Sequence, residues 1–195
     1  MRHPSLDVIR EEHQALSAML RSMLMLLTQA RREGHAPDFE VLRAMLFYVD
    51  EFPERLHHPK ESELLFPRLL ERAPELKPVV ERLDRDHEQG EVSIRTLEHA
   101  LLAYEVMGEP RRAAFETAAE RYVGFYLEHM GVEERELLPA AQRLFTEADW
   151  AALDTAFAEN RDPLTGRHEV AADYQPLFHK ILMQAPAPIG LGPAR

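Results

Sequence analysis

Two residue pairs, His57 with Glu61 and His129 with Glu133, constrain this chain more than any other feature. Each sets an imidazole and a carboxylate four residues apart on a segment whose apolar residues recur at helical spacing. One turn of α-helix brings positions i and i+4 to the same face, so both groups of a pair look into the same space as the apolar stripe beside them. A carboxylate there is costly to desolvate unless it is paired or bound to a cation. The chain is therefore expected to pack helices around a shared polar layer.

The remaining stripes supply those helices. Ile9, His13, Leu16, Leu20, Met23 and Leu27 recur at steps of three and four to about Arg32, with Ser5 as the expected N-cap. Gly34-His35-Ala36-Pro37-Asp38 breaks the pattern, and His35 falls in a loop without a role. The second stripe runs through Leu42, Met45, Leu46, Val49, Phe52 and Leu56, and resumes with Leu64, Leu65 and Leu69 to about Arg72. Pro53, Pro59 and Pro67 lie along it, which predicts a kink or break beside His57-His58-Pro59-Lys60-Glu61. Pro78 suits the first turn of a third helix, whose stripe is Val80, Leu83, His87, Gly90, Ile94, Leu97, Leu101 and Tyr104. Gly90 costs about 1 kcal/mol of helix propensity relative to alanine, so a close approach of another group is expected there.

The fourth stripe reads Phe115, Ala118, Tyr122, Phe125, Tyr126, His129, Val132, Glu133, Leu137, Ala140 and Leu144. Thr146-Glu147-Ala148-Asp149 then has the form of a capping box opening a short helix with Trp150, Leu153 and Phe157. Residues 160–173 read as a loop, 174–184 as a last short helix, and 185–195, rich in proline and glycine, as a flexible tail. The expected fold is all-α: an up-down-up-down four-helix bundle over residues 1–145, a short C-terminal helical extension over 146–184 packed on it, and the tail.

Antiparallel alternation places the ligand-type residues together. His13 and His87 lie about nine residues from the starts of helices one and three, and His57 and His129 about 15 residues before the ends of helices two and four; at about 1.5 Å per residue the four fall within roughly 9 Å of one level. Left unpaired in a core, such groups would cost on the order of 1 to 3 kcal/mol each. The chain has no cysteine, so thiolate ligands, iron–sulfur clusters and disulfides are excluded and any metal is held by nitrogen and oxygen. Four imidazoles and two carboxylates exceed what one tetrahedral structural zinc uses, and the mixed donor set favours iron or manganese over a soft-ligand metal. Two ions bridged by Glu61 and Glu133, with two histidines each, use all six and leave room for a bridging oxygen species and an exchangeable position.

At this point the sequence resembles the hemerythrin-like, HHE cation-binding family of non-haem di-iron four-helix bundles. The resemblance covers about residues 5 to 145 and rests on the order of a lone His, a His-x-x-x-Glu, a second lone His and a second His-x-x-x-Glu. It implies that His13, His57, Glu61, His87, His129 and Glu133 are the iron ligands, the two glutamates bridging. Phe52-Pro53 and Leu138-Pro139-Ala140 are similar to the family's surroundings of these pairs. Oxygen carriers of the family have a second histidine one turn along the third helix, where this chain has Glu91, and place the last carboxylate where it has Glu134. One histidine fewer leaves the irons more open, which favours reaction with oxygen, peroxide or nitric oxide over stable oxygen carriage.

The other candidates carry less. His58 is expected about 100° around the helix from His57, as a surface or supporting group. Tyr126, one turn before His129, is within reach of a hydrogen bond near the metals, although an aromatic in an apolar stripe is usually core; Tyr104 is too far along its helix to matter, and His99, His168 and His179 have no partner at metal spacing. A net charge of −11 argues against nucleic acid and anionic membrane as partners. The N-terminal residues lack the apolar run of a signal peptide, so a cytoplasmic protein, monomeric or homodimeric, is expected. Its function is expected to be capture or sensing of a small ligand such as oxygen or nitric oxide. The alternative is an enzyme that consumes peroxide or oxygen, or an iron donor in the repair of iron–sulfur clusters; a metal-stabilised interaction module is a third reading.

Overall fold

The computed structural model describes residues 3–167 and 169–192; His168 and the last three residues of the expected tail lie outside them. Helix α1 spans Pro4–Glu33. Its first residue is a proline, whose missing N–H would have had no partner in a first turn, and it stops at Gly34, which adopts the left-handed φ of 72°. Ser5 is not its N-cap. It lies inside the first turn, buried, and both its backbone N–H and its hydroxyl donate to Asp154 Oδ1, at 2.9 and 2.6 Å.

The second rod begins with α2, Phe39–Val49, capped by the Asp38 carboxylate, which accepts from the backbone of Glu40 and Val41. From there the three prolines act as expected, though not through one sharp kink. Asp50–His57 is π-helical, α3 (His58–Lys60) is a single turn, Glu61–Leu65 is π-helical again, and α4 (Phe66–Arg72) completes the rod. Each π segment closes on an i to i−5 bond, His58 N–H to the Pro53 carbonyl and Phe66 N–H to the Glu61 carbonyl. In each case the donor is the residue immediately before a proline, Pro59 or Pro67, whose missing N–H interrupts the regular ladder at that point. The fourth rod repeats the device. Helix α5 spans Lys77–Met107, α6 spans Arg112–Val132, and a π segment at Glu133–Leu137 leads into α7, Leu138–Leu144, whose second residue is Pro139.

Two apolar clusters fill the bundle. One holds Leu16 to Leu27 of α1, Val41 to Phe52, Ile94 to Tyr104 of α5 and Phe115 to Met130 of α6. The other holds Leu6 to Ile9, Leu65 to Leu69, Val80 and Leu83, and Val132 to Ala141. Every rod passes through both clusters, and the order in which it does so reverses from each rod to the next. The rods therefore alternate up and down, and the buried polar residues of each rod fall at the junction between the clusters.

The C-terminal residues join the same cores. Helix α8 (Glu147–Phe157) opens with the Thr146–Asp149 capping box and buries Trp150, Leu153 and Phe157 in the second cluster. Helix α9 (Gln175–Gln184) buries Phe178 and Ile181 in the first. The expectation of a loose tail fails for its described residues. Ala185 is fully buried, Ser22 donates its hydroxyl to the Pro186 carbonyl at 3.2 Å, and Gly192 N–H returns to the Ala185 carbonyl at 2.9 Å. Backbone donors anchored in this way hold a Pro- and Gly-rich segment that composition alone marks as free. Among the described residues no helix is long and apolar enough to cross a membrane.

Candidate metal centre

The six predicted residues meet at the junction between the two apolar clusters. All are buried, with Glu61 and Glu133 wholly so. The stripes that seat His13 and His87 on α1 and α5 carry them inward at one level, and the π segments begin or end at His57, Glu61 and Glu133 on the other two rods. The two carboxylates lie crosswise between two pairs of imidazoles. Glu61 Oε1 is 3.2 Å from His57 Nε2, while its Oε2 is 3.5 Å from His87 Nε2. Glu133 Oε2 is 3.4 Å from His13 Nε2, while its Oε1 is 3.3 Å from His129 Nε2 and 3.8 Å from His87 Nε2. Each glutamate thus turns one oxygen to the His13–His57 side and the other to the His87–His129 side. His87 Nε2 and His129 Nε2 stand 3.0 Å apart, and the His13 and His57 rings are 5.1 Å apart.

Every imidazole turns its other nitrogen outward to an orienting group. Glu134 Oε1 lies 3.1 Å from His13 Nδ1, Glu12 Oε2 2.7 Å from His57 Nδ1, Ser62 Oγ 2.9 Å from His87 Nδ1, and Asp86 Oδ2 3.5 Å from His129 Nδ1. Such partners fix the tautomer and the ring plane of a metal-binding histidine and leave Nε2 as the donor atom. The α1 neighbours Glu12 and His13 therefore both serve the His13–His57 side, His13 as a candidate ligand and Glu12 as the support of His57.

What the inner faces lack is partners. His57 Nε2 and all four oxygens of Glu61 and Glu133 are buried with no hydrogen-bond partner. Native interiors leave few such atoms, and each charged one carries a desolvation cost of several kcal/mol unless something compensates it. The charges that the bare residues impose on each other tell the same story. Burial opposes a charge on His57, but Glu61 and Glu12 outweigh it and raise its pKa well above the ordinary imidazole range. Burial likewise opposes His129, but Glu133 and Asp86 push it up to about 10. Glu61 is held down to about 2, burial being outweighed by His57. His87 moves the other way, lowered by burial and by the neighbouring His58. The same carboxylates that raise these two imidazoles are ones that a bound cation would neutralise. Two overlapping sets, His13, His57 and Glu61 on one side and Glu61, His87, His129 and Glu133 on the other, bring their donor atoms within 4.8 Å of one another and can each hold a metal ion.

The sequence of residues 5–141 matches the family described as the hemerythrin HHE cation binding domain. This chain belongs to the hemerythrin-like family. No curated protein matches it. The matched region contains all six residues of the centre and ends within α7, so α8, α9 and the loop between them stand outside the hemerythrin-like domain proper.

Four further residues frame the hemerythrin-like centre; sequence reasoning weighed His58 only as a surface or supporting group and passed over Glu54, Asn160 and Asp162. His58 is buried, not at the surface, and its ring lies flat against His87 at 4.3 Å. Glu54 accepts hydrogen bonds from the hydroxyls of Tyr122, at 3.0 Å, and Tyr126. Tyr126, read from the sequence chiefly as a core aromatic able to reach the site, is wholly buried and donates to this carboxylate. Asn160, from the loop after α8, donates to Glu12 Oε2 at 3.0 Å and accepts from Lys60. Beside it Asp162, buried, accepts from Tyr48 at 2.7 Å. An acidic residue one place off a histidine, as at Glu12, was the available signal; for Asn160 there was none. Glu91 is exposed and pairs with Arg95, and His35, His99 and His179 are exposed.

Proposed function

We propose that this chain binds two iron ions in the layer between its apolar clusters, and that the centre captures or senses a small ligand such as oxygen or nitric oxide. The observation that carries the reading is the crosswise placement of Glu61 and Glu133, whose two oxygens face opposite histidine pairs. Two imidazoles and one oxygen of each carboxylate give each ion four protein donors. An octahedral ion then keeps positions for exogenous ligands, and iron so bound supplies affinity for oxygen, nitric oxide and peroxide. Borderline nitrogen and hard oxygen donors, with no sulfur, support iron over a soft-ligand metal.

The protein's own residues define what reaches those positions. Leu16, Phe52, Pro53 and Leu56 line a narrow cleft that leads to His13 and His57. Glu12, His58, Asn160 and Asp162 also line it, and its exposed surface is mainly apolar, which suits a small uncharged ligand. The outward hydrogen bonds of His13, His57 and His87, and the Asp86 carboxylate facing His129, would hold the four rings in place while a ligand comes and goes.

The test is metal analysis of protein purified without added metal, with optical spectra in air and after anaerobic reduction. About two irons per chain and a ferric charge-transfer spectrum that bleaches on reduction are expected; one zinc or none, with the fold intact, overturns the reading. Titration of the reduced protein with oxygen, nitric oxide and peroxide then separates capture, which leaves a stable adduct, from the alternative of turnover, which consumes the ligand repeatedly.

A further inference from the structure

Five histidines, not four, are built to one plan at this centre. Three of the four predicted imidazoles, His13, His57 and His87, hydrogen-bond an orienting oxygen at Nδ1, the fourth, His129, faces Asp86 Oδ2 at 3.5 Å, and all four have Nε2 toward the carboxylates. His58 repeats the arrangement. It is only 4% exposed, and its Nδ1 lies 3.2 Å from Glu54 Oε2. Its ring is stacked on His87 at 4.3 Å and 12°, and stands edge-on to His129 at 5.7 Å. One ring nitrogen of each of His58, His87 and His129 lies within 4.8 Å of the other two, which makes them a metal-ligating group in their own right.

The support of His58 is itself constructed. Glu54 is buried and held by the hydroxyls of Tyr122 and Tyr126. Room for that pair exists because residue 90 of α5 has no side chain: a Cβ there would lie 1.8 Å from Tyr126 Oη and 3.0 Å from Glu54 Oε1. A core histidine needs one hydrogen bond to be satisfied. Here three rods contribute to aiming one ring, and a mid-helix glycine is kept to allow it. On α5 itself, Glu91, one turn beyond His87, points to solvent and Arg95, so this helix brings no second imidazole.

We propose that His58 is a metal ligand, its Nε2 supplying a third imidazole to the ion held by His87 and His129. The two metal positions are then unequal, with three histidines on one and His13 and His57 on the other. The inference rests on the dinuclear reading above and goes beyond the six residues carried by the His-x-x-x-Glu pattern.

The test is cobalt(II) titration of the full chain as wild type, as His58→Phe, which keeps a flat ring against His87 without the nitrogen, and as His58→Ala. Affinity is read by competition with a chelator and the ligand field from the visible absorption bands. The wild type should take two equivalents. Both variants should remain helical by circular dichroism, bind one equivalent as before and the other at least about tenfold more weakly, with altered bands. Free imidazole should restore the bands of His58→Ala. Unchanged affinities and bands in a folded variant overturn the role of His58 and leave the dinuclear centre standing, whereas a wild type that does not take two equivalents overturns the dinuclear centre itself. If neither variant folds, the cobalt-loaded wild-type crystal structure decides: a His58 Nε2 to metal distance of about 2.0–2.2 Å supports the inference and one beyond roughly 3 Å sinks it.

Discussion

Replacing Gly90 by alanine sets two effects of known size against each other. In an open helix the change stabilises, because alanine has about 1 kcal/mol more helix propensity than glycine. In this helix the new methyl would sit 1.8 Å from Tyr126 Oη, 2.9 Å from Tyr126 Cζ and 3.0 Å from Glu54 Oε1. Tyr126 cannot step aside cheaply, since it is wholly buried with the rings of Tyr122, Phe125 and His58 within 4.9 to 5.5 Å of its own. Overpacking of this kind costs about 1 to 3 kcal/mol. Displacing the hydroxyl from a buried carboxylate removes a charge-assisted hydrogen bond, a further loss of about 1.5 to 3 kcal/mol. The balance is a destabilisation of about 1.5 to 5 kcal/mol despite the better helix former. Urea unfolding of chelator-treated wild type and variant, compared at equal m-value, measures it. Adding Tyr126→Phe removes the hydroxyl that clashes but leaves Cζ, so the double variant should lose about 1 kcal/mol or more less than the sum of the singles. A Gly90→Ala protein as stable as wild type, or more so, refutes the account of why a glycine stands in the middle of α5.

Glu12→Ala leaves His57 Nδ1 and Asn160 without their shared acceptor; metal affinity should fall about 10- to 100-fold, read by chelator competition, with the helical content kept. In the metal-free protein the raised pKa of His129, about 10, stabilises the fold fully below its unfolded value of about 6.5, and that contribution is lost as pH rises through 10. The depressed pKa of Glu61, about 2, acts in the opposite direction: its contribution is present above about 4.5 and lost as pH falls through 2. Thermal unfolding of chelated protein between pH 6 and 10 should therefore show stability declining with pH, and saturating metal should remove most of that slope; a flat profile without metal contradicts the charge arrangement argued for the bare site. Asn160→Ala separates Lys60 and Glu12 from the loop after α8 and should cost about 1 to 3 kcal/mol in urea unfolding, with a smaller loss of metal affinity than Glu12→Ala.

The sequence by itself determined the four rods, their alternation and the level at which six polar residues meet. Those are consequences of local period: apolar steps of three and four define a face, and short connections define direction. It also marked residue 90 as a place of close approach, because a glycine inside a strong helical stripe has a propensity cost that needs a reason. Tertiary structure alone decided the rest. His58, counted about 100° around from His57, was expected at the surface or as a supporting group; which of these holds depends on what packs against that flank, and here Glu54, Tyr126 and His87 do. Asn160 and Asp162 reach Glu12 and Tyr48 from more than a hundred residues away, and no periodicity within a loop encodes such a meeting. The tail looked free by composition and is held by bonds to Ser22 and to the end of α9. Period is a local property of the chain, whereas the partner of a buried nitrogen or carboxylate is whatever distant element the packed core brings against it, and for that reason the inner donors were legible and the groups that aim them were not.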